Sequence, residues 1–121
     1  MYADTDFWVA LLKDDDRLAE RAEDVLGEHG DELEVSLLTF VELFLIEERY
    51  SFDRETAVTG VLELAEYDGD EDVPYQASEH MDNGLNTFDA FHAALADDAI
   101  VSSDKDFDGI DLERLAFEPD E

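Results

Sequence analysis

Residues 86–104 read NTFDAFHAALADDAIVSSD, and this stretch decides the expected fold. Asn86 or Thr87 can cap a helix over about 88–96, because short polar side chains are favoured at helix starts. After a two-residue acidic connection, the apolar run at 99–102 has the length and composition of a strand. Helices and strands that alternate in this way are typical of an α/β domain with a mainly parallel sheet.

Acidic residues stand where such apolar segments begin or end. Asp89 opens the helix, and Asp104 follows the strand. Asp4 follows the first three residues, and Glu42 is the only charge in the apolar run 37–46. A charge among apolar neighbours must be paired, hydrogen-bonded or bound to a metal. If the four carboxylates converge they repel one another, so together they predict a divalent-cation site.

The rest of the chain shows the same alternation. Strands are expected at 1–3, 33–36, 99–102 and 115–117, and helices at 7–12, 17–26, 39–50, 54–66, 74–82 and 88–96. Asp6 and Asp53 are expected to cap helices, and Thr39 with Glu42 fits a capping box. We therefore expect one α/β domain over 1–117, with a central, mainly parallel sheet of four or five strands flanked by helices, and a loose acidic tail at 118–121. Sites in such sheets form beyond the carboxyl ends of the strands.

The charge balance of the 121-residue chain is extreme, with 7 basic and 36 acidic residues and a net charge of −29. We interpret it as a protein of a salt-loving cell, because the screening length falls to about 3 Å at 1 M salt and self-repulsion then becomes tolerable. No apolar run reaches the roughly 18 residues of a membrane helix, and no secretory signal is visible. A cytoplasmic location is expected. The absence of cysteine excludes disulfides and thiolate metal sites.

Four pieces of the sequence, in this order, resemble the PIN-domain nucleases and especially the small VapC-type toxins. They are DTD at 4–6, SLLTFVEL at 36–43, DAFHAA at 89–94 and SSDKDF at 102–107. The resemblance implies a central parallel sheet flanked by helices and a Mg²⁺- or Mn²⁺-dependent endoribonuclease that hydrolyses RNA phosphodiester bonds. It also implies a homodimer and an antitoxin protein as partners.

Carried over by position, the resemblance assigns the catalytic and metal-binding roles to Asp4, Glu42, Asp89 and Asp104. Three further residues are expected to support this cluster without being assigned as direct ligands: Asp6, Ser102 and Asp106. The strand that the family usually shows before Pro74 is expected to be short or missing, because acidic residues fill that stretch.

Other functions stay open at this point. The domain could be an RNA-processing PIN nuclease that is not a toxin, or a non-catalytic PIN-like binding module. The DTD start at 4–6 also resembles that of haloacid-dehalogenase-type phosphatases, although Trp8 stands where those enzymes usually have a threonine. Each acid also has a purely structural explanation, as a helix cap, a first-turn acid or part of an Asx-turn.

Overall fold

The computed structural model describes residues 1–13, 17–96 and 98–116. The chain divides into two compact units, Met1–Glu71 and Asp72–Glu121. The expected tail at 118–121, and residue 117 of the last expected strand, lie outside the described residues. None of the helices found in the described ranges has the length and apolarity needed to cross a membrane.

The first unit is mostly helical. Its elements are α1 (Thr5–Lys13), α2 (Arg17–His29), a 3₁₀ helix (Gly30–Glu32), β1 (Glu34–Val35), α3 (Leu37–Leu45), α4 (Glu47–Tyr50), α5 (Arg54–Leu64) and β2 (Glu66–Tyr67). β1 and β2 pair in parallel. The expected strand at 1–3 is reduced to a parallel bridge between Tyr2 and Glu34.

The core of the first unit forms around α3, whose sequence LLTFVELFL is apolar on nearly all sides. Phe40 and Leu43 are fully buried, and Trp8 and Phe44 nearly so. The Phe40 ring meets the Tyr67 ring edge to face, with 5.3 Å between ring centroids and an interplanar angle of 81°. This contact ties α3 to the short strand β2.

Two helix starts in the first unit differ from the sequence expectation. α3 begins at Leu37 with Ser36 as its N-cap, and the Ser36 N–H donates to Thr39 Oγ1 at 3.3 Å. The capping box expected between Thr39 and Glu42 is therefore wrong, because a serine three residues earlier caps the helix first. α1 begins at Thr5, so Asp6 lies within its first turn and is not its cap. Asp53 does cap α5, as expected.

The second unit packs two helices beside a small parallel sheet. Its elements are α6 (Asp72–Asp82), α7 (Thr87–Ala96), β3 (Ala99–Val101), a 3₁₀ helix (Lys105–Gly109) and β4 (Glu113–Leu115). β3 and β4 are parallel. The turn between α6 and α7 places Gly84 at φ 107°, a backbone conformation that glycine adopts without strain.

The described strands thus form two parallel pairs, one in each unit. The α/β class and the parallel pairing agree with the sequence expectation. A single central sheet of four or five strands is not shown, since each described pair has only two strands.

Candidate metal centre

Three carboxylates of the second unit lie together. Asp89, Asp104 and Asp106 each offer an oxygen atom, and these atoms are all within 4.8 Å of one another. Asp89 is half-buried and the other two are exposed. Carboxylates this close repel one another, and a bound cation would relieve that repulsion. Carboxylate oxygens are the ligands that Mg²⁺ and Mn²⁺ prefer, so the donor set fits such an ion.

Asp89 is held by the residue that caps its helix. The Asn86 side-chain oxygen accepts from the Asp89 N–H at 2.9 Å, and the Asn86 amide nitrogen donates to Asp89 Oδ2 at 3.1 Å. This reciprocal pair fixes the carboxylate at the first turn of α7. Among the described residues, Asp89 Oδ1 has no hydrogen-bond partner and remains available to a ligand.

Asp104 and Asp106 are brought together by a turn at the end of β3. Asp104 caps the 3₁₀ helix Lys105–Gly109, and its Oδ1 accepts a hydrogen bond from the Asp106 N–H at 2.9 Å. The Asp104 N–H donates to Ser102 Oγ at 3.0 Å. The Asx-turn expected from sequence as the structural alternative for Asp104 is thus present, and it places Asp106 next to Asp104.

Asp108 lies close to these acids in sequence, but its carboxylate is bound to Arg114. The Arg114 guanidinium donates to both carboxylate oxygens of Asp108, from Nε to Oδ1 at 2.8 Å and from Nη2 to Oδ2 at 3.2 Å. This hydrogen-bonded pairing lowers the pKa of Asp108. Arg114 Nη1 also donates to the Ser102 carbonyl at 2.9 Å, which fixes the backbone just before Asp104.

Two more carboxylates are linked in the first unit. The Thr5 N–H donates to Asp4 Oδ1 at 2.7 Å, and the Thr5 hydroxyl donates to Glu42 Oε1 at 3.2 Å. Thr5 is buried, whereas Asp4 and Glu42 are exposed. One buried threonine at the start of α1 therefore orients both acids, although they are far apart in sequence.

One family model matches the part of the chain that contains these acids. The family model for the PIN domain matches residues 1–112. The chain belongs to the PIN domain family. Searches among curated proteins and among solved structures find no match. PIN domains are usually metal-dependent nucleases that act on RNA, and both groups of acids in this PIN domain lie within the matched residues.

The structure thus brings together some of the expected site residues of the PIN domain. Asp4 and Glu42 share Thr5 in the first unit, and Asp89 meets Asp104 in the second. Asp6 is exposed in the first turn of α1 and is outside the described acidic cluster.

Two positioning residues of the PIN domain escaped the sequence reasoning. The bond from the Thr5 hydroxyl to Glu42 has no signal in the sequence, because the two residues are 37 positions apart. The sequence predicts Asn86 as a helix cap, whereas its second bond, to the Asp89 carboxylate, is visible only in the fold.

Proposed function

We propose that this PIN domain is an endoribonuclease that uses Mg²⁺ or Mn²⁺ to hydrolyse RNA phosphodiester bonds. The observation that carries the proposal is the cluster of Asp89, Asp104 and Asp106 within the family-matched residues. Three carboxylates so close together have no described basic side chain hydrogen-bonded to them, and an all-oxygen donor set suits a hard divalent cation.

Four acids are proposed to hold the ion and carry catalysis: Asp4, Glu42, Asp89 and Asp104. When bound, the ion would activate water and neutralise charge on the scissile phosphate. Thr5 and Asn86 hold three of these carboxylates in fixed orientations, which lowers the entropic cost of gathering ligands. Ser102 and Asp106 support Asp104, and Asp6 is proposed to support the same centre from α1.

We further propose that residues 1–117 act as one nuclease domain, since the family match runs through both compact units. The single central sheet stays a prediction.

We also propose that the protein is the VapC-type toxin of a toxin–antitoxin pair and acts as a homodimer in the cytoplasm. A protein of net charge −29 with an acidic centre suits a partner that supplies arginine or lysine to that centre. A small reading frame beside the gene would support the toxin role over that of a housekeeping RNA-processing nuclease.

The charge also sets the conditions under which RNA can bind. A surface with 36 acidic and 7 basic residues repels phosphates in dilute buffer. At about 1 M salt the screening length is roughly 3 Å, so the repulsion becomes short-ranged. We therefore propose a halophilic origin and expect cleavage to require molar salt as well as the divalent ion.

The decisive experiment measures cleavage of a labelled single-stranded RNA in 2 M KCl with Mn²⁺. Asp4→Asn and Asp89→Asn remove a ligand charge from the first and second unit in turn. Asp31→Asn is the matched control, because Asp31 is exposed in the 3₁₀ helix Gly30–Glu32 and outside both acid groups.

We expect the wild type and Asp31→Asn to cleave equally, and both ligand variants to lose at least about a hundredfold in rate, since each lost ligand weakens charge stabilisation at the transition state. A chelator should abolish the wild-type activity. Equal cleavage by wild type and Asp4→Asn would remove the assigned centre.

A further inference from the structure

Ser102 connects β4 to the turn that carries Asp104 and Asp106. The Ser102 N–H donates to the Leu115 carbonyl at 3.2 Å, one residue beyond the pairing of β3 with β4. The Ser102 carbonyl accepts a hydrogen bond from Arg114 Nη1 at 2.9 Å. Both backbone polar groups of Ser102 are therefore held by residues of β4.

Ser102 in turn fixes the position of Asp104. Its Oγ accepts from the Asp104 N–H at 3.0 Å, and Asp104 Oδ1 accepts from the Asp106 N–H at 2.9 Å. The Asp104 carbonyl also accepts from the N–H of Phe107, a buried residue, at 3.4 Å. A series of hydrogen bonds thus runs from β4 through Ser102 to two carboxylates of the cluster with Asp89.

Arg114 is the side chain at the β4 end of this series. It is mostly buried, and its Nε and Nη2 donate to Asp108. A guanidinium is planar and its N–H groups form a rigid fork, so this pairing aims Nη1 at the Ser102 carbonyl. An ammonium on a flexible stem cannot reproduce both contacts. Asp108→Asn keeps one acceptor oxygen for Nε, so the bond from Nη1 to Ser102 can persist in that variant.

The placement of the carboxylates matters more for Mg²⁺ than for Ca²⁺. Mg²⁺ demands near-ideal octahedral geometry, whereas Ca²⁺ accepts more oxygen ligands in a flexible arrangement. A turn that holds Asp104 and Asp106 in fixed places therefore favours Mg²⁺. If the turn is loosened, the same carboxylates can still surround Ca²⁺, but ordering them for Mg²⁺ costs more conformational entropy.

We propose that Arg114 is a positioning residue of the metal centre, which acts through Ser102 to hold Asp104 and Asp106 in the arrangement that Mg²⁺ needs. The inference rests on the proposed metal-dependent function. β4 (Glu113–Leu115) follows directly after the residues 1–112 that match the PIN domain, so the family match does not assign this role. Arg114 is not a ligand, because a guanidinium is positively charged and has only donor groups.

The charge of Arg114 acts against this role, so the sign of the effect tests the inference. A positive group near a cation site weakens cation binding by repulsion. If Arg114 acted through its charge alone, Arg114→Gln would bind Mg²⁺ more tightly than the wild type. If it acts by positioning, both Arg114→Gln and Arg114→Lys bind Mg²⁺ less tightly.

The experiment titrates MgCl₂ and, separately, CaCl₂ into the full chain in 2 M KCl without RNA, and follows the backbone amide signals of Asp104 and Asp106 by NMR. The variants are Arg114→Gln, Arg114→Lys and Ser102→Ala, which removes the hydroxyl that accepts from the Asp104 N–H. Arg49→Gln is the matched control, because Arg49 is exposed in α4 of the first unit and carries the same charge. Melting temperatures in the same buffer show which variants are folded.

We expect both Arg114 variants to lose about tenfold in Mg²⁺ affinity, as is usual when a group that orients metal ligands is removed. Their Ca²⁺ affinity should fall by less than about threefold, since that ion tolerates flexible ligands. Ser102→Ala should change in the same direction, and Arg49→Gln should keep both affinities. Loss of the fold would weaken both ions alike. If Arg114→Gln melts below the assay temperature, Arg114→Lys and Ser102→Ala carry the test.

Several outcomes would overturn the positioning role while the nuclease proposal stands. They are unchanged or tighter Mg²⁺ binding by the folded Arg114 variants, equal losses for the two ions, and unchanged Mg²⁺ affinity in Ser102→Ala. A selective loss of Mg²⁺ affinity in a protein that does not cleave RNA would support the positioning role and remove only the nuclease proposal. A wild type that binds neither ion would remove both.

Discussion

At the scale of the residue, hydrogen bonds decide which acids are available to a ligand. Asp106 and Asp108 both lie in the 3₁₀ helix Lys105–Gly109, yet their situations differ. Asp106 joins Asp89 and Asp104 in the cluster, whereas both oxygens of Asp108 are held by Arg114. The side chain of Arg114 is only 10% exposed, so this pairing is partly shielded from water.

This difference predicts opposite outcomes for two matched substitutions. Asp106→Asn removes a charge from the cluster and should weaken Mn²⁺ binding by roughly tenfold, as is usual for groups that support metal ligands. Asp108→Asn removes the same charge two residues away and should leave the affinity nearly unchanged. Calorimetric titration of Mn²⁺ into both variants checks this, and equal losses in the two would contradict the assignment of Asp106.

A second residue-scale prediction concerns the cap of α5. The Thr56 N–H and hydroxyl donate to Asp53 Oδ2 at 3.0 and 2.8 Å. These bonds lower the pKa of Asp53 from its ordinary 3.8, and the nearby Arg54 charge acts in the same direction. The cap therefore contributes stability above the unfolded-state pKa, and the contribution is lost as pH falls through the lower folded-state pKa.

Asp53→Ala should accordingly lower the melting temperature by a few degrees at pH 6, where the carboxylate is ionised in both states. The gap between wild type and variant should shrink as the pH falls below about 3.8. Thermal unfolding followed by circular dichroism at a series of pH values measures the gap. A gap that widens on acidification would be inconsistent with this cap.

At the scale of the element, α3 provides the clearest contrast between buried and exposed apolar residues. Phe40 has no exposed surface and contacts the Tyr67 ring, whereas Leu38 on the same helix is 59% exposed. Phe40→Ala should destabilise the fold by about 3–5 kcal/mol, because it leaves a cavity in the core. Leu38→Ala should cost less than about 0.5 kcal/mol.

Chemical denaturation in 2 M KCl compares the two variants. If Leu38→Ala cost as much as Phe40→Ala, the orientation assigned to α3 would be wrong.

The helix starts show which N-cap residues can be predicted from local sequence and which cannot. The Asp53 cap and the Asn86 cap were predictable, because each is a short polar side chain directly before a helical pattern. The start of α3 was not predicted correctly, because Ser36 and Thr39 are both good caps, and the choice between them depends on where β1 ends. Local preference alone cannot rank two such caps.

The strands were predicted less well than the helices, although β2 agrees with the short or missing strand expected before Pro74. β2 has only two residues, Glu66 and Tyr67, and an acidic loop follows it. So short a strand has no periodic pattern of its own, and the Tyr67 contact with Phe40 depends on tertiary packing. The positions of Asp4, Glu42, Asp89 and Asp104 were read from sequence, whereas the bonds of Thr5 to Asp4 and Glu42 required the fold.

At the scale of the whole molecule, the net charge of −29 dominates the expected behaviour. Self-repulsion disfavours the compact state, and salt screens it more strongly as the screening length falls from about 10 Å at 0.1 M to about 3 Å at 1 M. The melting temperature should therefore rise steadily between 0.1 and 2 M KCl. A melting temperature that stays flat or falls over this range would contradict the interpretation of the charge as an adaptation to salt.

We propose above all that Asp89 and Asp104, whose carboxylates lie together in the second unit, bind the same divalent ion. A double-mutant cycle of Mn²⁺ affinity, with wild type, Asp89→Asn, Asp104→Asn and the double variant measured in 2 M KCl, tests this most directly. We predict that each single substitution weakens binding and that the double variant loses clearly less than the sum of the two free-energy losses, since ligands of one ion are coupled. Losses that add, or an Asp104→Asn variant that binds Mn²⁺ as tightly as the wild type, would contradict the proposal.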